Sequence, residues 1–351
     1  MAFSFAPVGA RGYLKAFWAA VAQASIAAKV SDGAQRAMRR KRTALLGASV
    51  LSGLLAGLTV LAGVGSAAAA DDDDDKDKDA PSKTPYQIVA DAPDSEWRPV
   101  DPENMLVMDL PAGEVVIELR PDFAPKHIQQ IKTLVRDGFY DGLKFHRVIE
   151  GFMAQGGDPK GDGSGGSDLP DLPPEFVRDS ADVAKLTQIG RDRMAARIAF
   201  IDGMPAAAEP ESLRSFRADR RVRVWAAHCP GVMSMARATK PDSANSQFFL
   251  MIGDARTSLD QRYTAWGWIV DGMENSRRIN RGEPPDRPTP IVRMRIGADI
   301  PEAERPEVEV LSTAGPTFLE YLEAAGHVND GLVKDVCNIR APRRVKGKIE
   351  L

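Results

Sequence analysis

One arginine and one glutamine stand among apolar side chains in the stretch Phe145-His146-Arg147-Val148-Ile149-Glu150-Gly151-Phe152-Met153-Ala154-Gln155-Gly156-Gly157-Asp158. A guanidinium carries a permanent charge on a rigid fork of donors, and a carboxamide both donates and accepts. Beside Phe152 and Met153 these groups suit an apolar pocket with a polar edge. Strand alternation puts Phe145, Arg147 and Ile149 on one side, and His146 and Val148 on the other. Gly151 permits a break, which frees Phe152, Met153 and Gln155 from that register. An ordinary amphipathic strand ending in a glycine turn accounts for the same residues, so this stretch alone leaves both readings open.

Other chemistries find little support. His127, His146, His228 and His327 show no metal-ligand spacing, and two cysteines, Cys229 and Cys337, are too few for a thiolate site. No metal and no cofactor is expected. The glycine run after Asp158, Pro159-Lys160-Gly161-Asp162-Gly163-Ser164-Gly165-Gly166, lacks the Gly-Lys-Ser/Thr ending of a phosphate loop and the spaced ligands of a calcium loop. It reads as a mobile loop at the mouth of a β domain. Ser234 and Ser246 have no histidine in a recognisable partner motif, which argues against a hydrolase. A net charge of −3 over 351 residues gives no reason to expect nucleic acid.

The elements that must carry the opening stretch are short strands joined by turns. Met105–Leu110 and Glu114–Leu119 flank a Pro111-Ala112-Gly113 turn and read as a hairpin. Pro125 to Asp137 has helical spacing with Ile128, Ile131, Leu134 and Val135 on one face, and His127 near its start reads as a surface residue. Strand candidates follow at Val232–Ala236, Asn245–Met251 and Ile291–Ile296, Leu259–Val270 holds a turn and a strand, and a short helix begins in Asp271–Ile279. Seven or eight strands, two helices and no βαβ alternation predict a mainly all-β fold, an eight-stranded antiparallel closed barrel capped by two helices. Trp266 and Trp268 are read as barrel packing.

The flanks differ in composition. Residues 1–37 read as an upstream extension. Met38-Arg39-Arg40-Lys41-Arg42, an apolar run from Ala44 to Val64 and the small residues Ser66–Ala70 have the form of a signal peptide over 38–70, cleaved after Ala70. An uncleaved inner-membrane anchor facing the periplasm is the alternative, and only then is a membrane a partner. Residues 71–102 open with an aspartate block and read as an acidic disordered linker. The main domain spans 103–299. Within it, residues 177–224 are Arg-, Ala- and Asp-rich and read as an insertion with helical parts such as Asp182 to Phe200. The C-terminal extension, 300–351, offers a strand at Val308–Leu311 and an amphipathic helix from Thr317 to Ala325.

Taken in order, Phe145–Ile149, Gly151-Phe152-Met153, Gln155–Asp158, Gly231-Val232-Met233-Ser234-Met235-Ala236 and Ser246-Gln247-Phe248-Phe249 resemble the signature of the cyclophilin-type peptidyl-prolyl isomerases. The similarity covers about residues 103 to 299, and the flanking signal gives it a bacterial periplasmic look. The resemblance implies a barrel with two helical caps and an enzyme that accelerates rotation about X-Pro bonds in secreted polypeptides. Arg147 corresponds to the catalytic arginine. Phe152, Met153, Phe249 and Leu259 match the walls of the proline pocket. Gln155 and Gln247 match side chains that hold the substrate backbone, and Ala236 matches a residue whose backbone meets the peptide. Three positions depart from the pattern. Arg237 stands where many members have asparagine. Ser258 replaces a frequent tryptophan, which puts high affinity for cyclosporin in doubt, and Tyr263 replaces a histidine at the peptide-binding surface.

This chemistry breaks no bond. The barrier of about 18–20 kcal/mol reflects lost amide resonance. A guanidinium donating to the twisted amide nitrogen lowers it by binding that state better than the planar one. His146 is then a hydrogen-bonded structural residue rather than an acid or base. Each assignment has a bland counterpart: Arg147 in a structural ion pair, Phe249 and Met153 as core, Tyr263 as packing. At the level of the whole protein the alternative is a non-catalytic proline-peptide-binding chaperone or scaffold. A periplasmic destination also raises the expectation of a disulfide between Cys229 and Cys337, tying the tail to the barrel.

Overall fold

The structure is a computed structural model that describes residues 83–183, 185–329 and 332–351. The upstream extension, the signal peptide and residues 71–82 of the acidic linker lie outside the described residues. Among those described, no helix is long and apolar enough to cross a membrane.

Eight antiparallel strands form the main sheet: β1 (Met105–Leu110), β2 (Gly113–Leu119), β3 (Arg147–Ile149), β4 (Met153–Gly156), β5 (Val232–Arg237), β6 (Ala244–Met251), β7 (Ala265–Asp271) and β8 (Arg293–Ile296). Their order is β8-β1-β2-β7-β5-β6-β4-β3. The sheet curls around a core that includes Phe145, Phe248 and Trp266, all buried, with Phe248 edge-on to both of the other rings. The β1–β2 hairpin is in the expected place, and both Trp266 and Trp268 are buried.

The expected closed barrel is corrected to a curled half-barrel. Between its end strands, β3 and β8, there is no continuous ladder; isolated bridges at Lys144–Pro290 and Val148–Gly282 span the gap. The chain before β8 contains Pro284, Pro285, Pro288 and Pro290. Proline has no N–H to donate, so this segment cannot complete a ladder.

The first cap is α2 (Pro125–Arg136), which buries His127, Ile128, Ile131, Leu134 and Val135. Its N-cap, Ala124, offers no side-chain acceptor, and Glu175 takes that role by accepting from the backbone N–H groups of Lys126 and His127. Glu175 also bonds His127 Nδ1 at 2.7 Å, so His127 is a buried anchor and not the expected surface residue. The second expected helix is a single turn, α4 (Met273–Ser276). Another single turn, α3 (Arg256–Leu259), precedes β7.

The insertion is β-structure, not helix. Arg178–Asp179, Leu186–Gly190, Arg197–Ile201, Met204–Ala208 and Arg223–Ala226 make a five-stranded antiparallel sheet. Ile201 pairs with Met204 across Asp202-Gly203, a two-residue Asp-Gly hairpin turn with both residues at positive φ. Ile198, Ala199, Phe200 and Ile201 are all fully buried, and a run covered on both faces carries no alternation to mark it as a strand.

Part of the expected linker is also built into the fold. Trp97–Pro99 pairs with Val308–Leu311, which continues to Arg343–Val345 and Lys348–Glu350 in a four-stranded sheet. Helix α1 (Pro85–Ala90), started by a Thr84–Gln87 capping box, packs against α5 (Pro316–Ala324). Phe318 of α5 meets Phe200 of the insertion sheet, with ring centroids 5.3 Å apart. Cys229 and Cys337 form a disulfide across 108 residues, with Cα atoms 4.8 Å apart, and it ties the tail to the loop before β5.

Candidate active site

The register of the main sheet assembles the site. Arg147 on β3 lies opposite Gln155 on β4, and Gln155 lies opposite Phe249 on β6. Residues directly opposite in a ladder share a face, as do residues two apart on one strand. Arg147, Met153, Gln155, Gln247 and Phe249 therefore project together from three neighbouring strands. The β3–β4 turn passes through Gly151 at φ +67°, which puts Phe152 at the rim. Gly157, at φ +80°, lets β4 approach β6 closely, since a Cβ there would sit 2.6 Å from the Ser246 carbonyl oxygen.

Nine of the ten expected site residues line one cavity of about 180 Å³: Arg147, Phe152, Met153, Gln155, Ala236, Arg237, Phe249, Leu259 and Tyr263. The tenth, Gln247, lines an adjoining cavity of about 430 Å³, together with Gln155, Ala236, Arg237 and the loop from Gly163 to Ser167. Gln155 Nε2 donates to Gln247 Oε1 at 2.9 Å, and Gln247 Nε2 donates to the carbonyls of Gly163 and Gly165. That glycine loop is organised around buried Asp158, which accepts from the N–H groups of Lys160, Asp162 and Gly163. Burial alone would raise the Asp158 pKa; the backbone donors outweigh it and hold the carboxyl below its ordinary range.

The apolar wall has a polar backing. The ring of His228 stacks on Phe249 with centroids 6.3 Å apart, and Tyr263 meets Phe249 edge-on at 5.7 Å. His228 Nδ1 donates to Asp260 Oδ1 at 2.8 Å, while Nε2 faces Ser234 Oγ at 3.0 Å. Asp260 also accepts from Trp225 Nε1 and the His228 backbone. Ser234 thus meets a histidine that no recognisable motif pairs with it. Both residues are buried behind the Phe249 ring, however, and the hydroxyl reaches neither cavity. The arrangement braces a wall and offers no nucleophile.

Charge at the rim comes from two arginines. Arg237 lies over Tyr263, 4.5 Å from the ring centroid, and donates to the carbonyls of Ala238, Thr239 and Arg262. Arg147 donates from Nε to Glu283 Oε1 at 2.7 Å. It takes part in the ion pair of the bland reading and also lines the cavity. His146, just before β3 and with its ring beside Gly163 of the glycine loop, is buried, and burial holds its pKa below the ordinary imidazole range. Leu259 closes one end of the cavity from α3. Arg256, at the start of that turn, is fixed by Asp192, Asp254 and Asp335. Ser258 is exposed, with its hydroxyl donated to Ala255 O. Among the described residues, the group close enough to hold a metal ion is Asp254, Asp335 and Cys337, and the Cys337 sulfur is already bonded in the disulfide.

Three contributors were not legible in the sequence: Glu283, His228 and Asp260. Each meets its partner only through tertiary contact, and no motif places Glu283 beside Arg147.

Comparison with known proteins identifies the family and the fold. The family model for the cyclophilin type peptidyl-prolyl cis-trans isomerase domain matches residues 105–297. A probable peptidyl-prolyl cis-trans isomerase of Brucella suis is 36% identical over 215 residues, covering 57% of this chain and 85% of the relative. The peptidyl-prolyl cis-trans isomerase ppi1 of Schizosaccharomyces pombe is 31% identical over 179 residues, covering 50% of this chain and 86% of the relative. Among solved structures, cyclophilin AquaCyp293 from Hirschia baltica superposes with a TM-score of 0.64 at 38% identity, covering 75% of this chain and 97% of that one.

Proposed function

Because this chain belongs to the cyclophilin-type peptidyl-prolyl cis-trans isomerases, we propose that the 180 Å³ cavity holds the proline ring of an X-Pro bond while Arg147 stabilises the twisted amide. The observation that carries this reading is the row Arg147–Gln155–Phe249 across three strands, with all three side chains at one small cavity. A volume of this size suits a single side chain rather than a drug-sized ligand.

Each residue has a part in the proposal. Phe152, Met153, Phe249 and Leu259 grip the ring and keep water out. Gln155 holds the substrate carbonyl through the N–H that Gln247 does not take. The Ala236 backbone and the Arg237–Tyr263 pair border the peptide as it passes from one cavity to the next. The guanidinium of Arg147 donates toward the proline nitrogen, whose lone pair is released when the amide twists. No proton changes owner, so the reaction asks only for differential binding.

We further infer that the clients are secreted polypeptides in the periplasm. This rests on the signal-like segment 38–70 and is supported by the Cys229–Cys337 disulfide, a bond favoured in an oxidising compartment.

A proline-peptide isomerisation assay tests the site. Arg147→Ala is expected to lose most of the rate while peptide binding persists; an unchanged rate defeats the assignment. Fractionation with N-terminal sequencing tests the location. A periplasmic chain beginning at Asp71 supports the reading, an inner-membrane chain retaining 38–70 supports the anchored alternative, and a cytoplasmic chain overturns both.

A further inference from the structure

We propose that Glu283 is a positioning residue for catalysis: it fixes Arg147 in the orientation that isomerisation needs without touching the substrate. The inference rests on the catalytic role proposed above for Arg147.

The backbone sets this up. Val148 and Gly282 form an isolated antiparallel bridge and exchange both hydrogen bonds, at 2.8 and 2.9 Å. In an antiparallel pair the next residues along face each other without backbone bonds and with their side chains closest. Arg147 and Glu283 occupy those positions. Gly282 is held at φ +144°, and a Cβ there would lie 2.4 Å from Pro285 Cα, so the bend that aims Glu283 depends on glycine.

The contact uses one particular donor. Glu283 Oε1 accepts from Arg147 Nε at 2.7 Å. Among the described residues, neither Nη group of Arg147 has a hydrogen-bond partner, and Arg147 lines the cavity while Glu283 does not. An arginine side chain has four rotatable bonds and high rotamer entropy. Tying it at Nε selects one approach and leaves the fork at its tip for the substrate. In the planar ground state that fork has little to bind, so orientation matters most in the twisted state. The loss on removing Glu283 should therefore fall on kcat rather than KM.

Both partners are partly exposed, at 38% and 40%, so the pair is worth little to global stability. That makes the role separable from folding. Glu283→Ala is expected to lower kcat about three- to tenfold, equivalent to roughly 0.7–1.4 kcal/mol of barrier, with KM and the unfolding midpoint nearly unchanged. Glu283→Gln keeps the acceptor without the charge and should restore part of the rate. In an Arg147→Ala background, Glu283→Ala should have no further effect, because there is nothing left to position. The proposal is overturned if Glu283→Ala leaves kcat unchanged, or if it lowers kcat by the same factor with and without Arg147. If Arg147→Ala itself leaves the rate intact, the failure belongs to the active-site reading instead.

Discussion

Gln155 and Gln247, ninety-two residues apart in the chain, are joined by a single hydrogen bond of 2.9 Å that links the two cavities of the site. Its direction is set from outside the pair. Gln247 Nε2 is committed to the carbonyls of Gly163 and Gly165, so the Gln247 oxygen must face Gln155. Among the described residues, Gln155 is thereby turned with one N–H still free and its own oxygen available.

That relationship predicts a graded pair of variants. Gln155→Ala removes the proposed contact to the substrate backbone and should lower kcat/KM by about three- to tenfold, the scale of one lost hydrogen bond. Gln247→Ala releases the Gln155 amide without removing it and should cost less. Steady-state kinetics on one proline peptide checks the order. A larger loss at Gln247 than at Gln155 would place the substrate contact on the wrong residue.

Phe249 has two duties that substitution can separate. It is buried, and truncation to alanine should cost about 3–5 kcal/mol of stability. Phe249→Leu keeps most of the apolar volume and should cost under about 1.5 kcal/mol. It nevertheless removes the flat face against the proposed proline, so KM should rise while urea unfolding shifts little. An unchanged KM in Phe249→Leu assigns the ring to the core alone.

The disulfide closes a long loop, because Cys229 and Cys337 are 108 residues apart. Reduction, or Cys337→Ser, should lower unfolding stability by about 2–5 kcal/mol. The bond lies outside the cavity lining, so the isomerisation rate at 25 °C should change much less than the melting midpoint does. A thiol count on denatured, unreduced protein should find none; two free thiols would contradict the bond.

Catalysis and stability should respond differently to pH. Proton transfer takes no part in the proposed mechanism, so kcat/KM should stay flat from about pH 6 to 8 while the protein is folded. Stability should fall with acid for an identifiable reason. Burial depresses the pKa of His146, so the unfolded chain binds more protons below its ordinary value. The native state is then favoured above that value and loses this advantage as pH falls through the imidazole range. Glu175 adds a second loss at lower pH. Burial would raise its pKa, but His127 and the α2 backbone donors outweigh burial and depress it. The stability this carboxylate contributes is present above the ordinary glutamate pKa and disappears as pH falls through the depressed one. Denaturant titrations of His146→Gln and Glu175→Gln should each flatten the corresponding part of the profile. A bell-shaped kcat/KM would instead require a titrating group in the mechanism.

The site residues could be read from the sequence because they sit in contiguous runs. Phe145 to Asp158 and Gly231 to Phe249 hold nearly all of them, and alternation separates Gln155 from Gly156 and Phe249 from Phe248, although Phe145, expected on the side of Arg147, packs into the core against Gly156 and Phe248. Pairing and closure could not be read in this way. Only the assembled sheet puts Gln155 between Arg147 and Phe249. The proline-rich stretch before β8 breaks the ladder that strand counting alone would close, and the bridge at Gly282 brings in Glu283 from 136 residues away.

The insertion shows the same limit most plainly. Arg197–Ile201 and Met204–Ala208 are short apolar runs, and short apolar runs do not distinguish a strand from a buried helix. The Asp202-Gly203 turn was the local signal for a hairpin, and burial on both faces settled the matter. Likewise Trp97–Pro99 had no reason to be ordered until Val308–Leu311, two hundred residues later, supplied its partner. The sequence by itself determined which side chains could do the chemistry, because residue type and local periodicity are properties of short segments. The tertiary structure decided how they are oriented and braced, because those contacts join segments whose separation along the chain carries no information about their meeting.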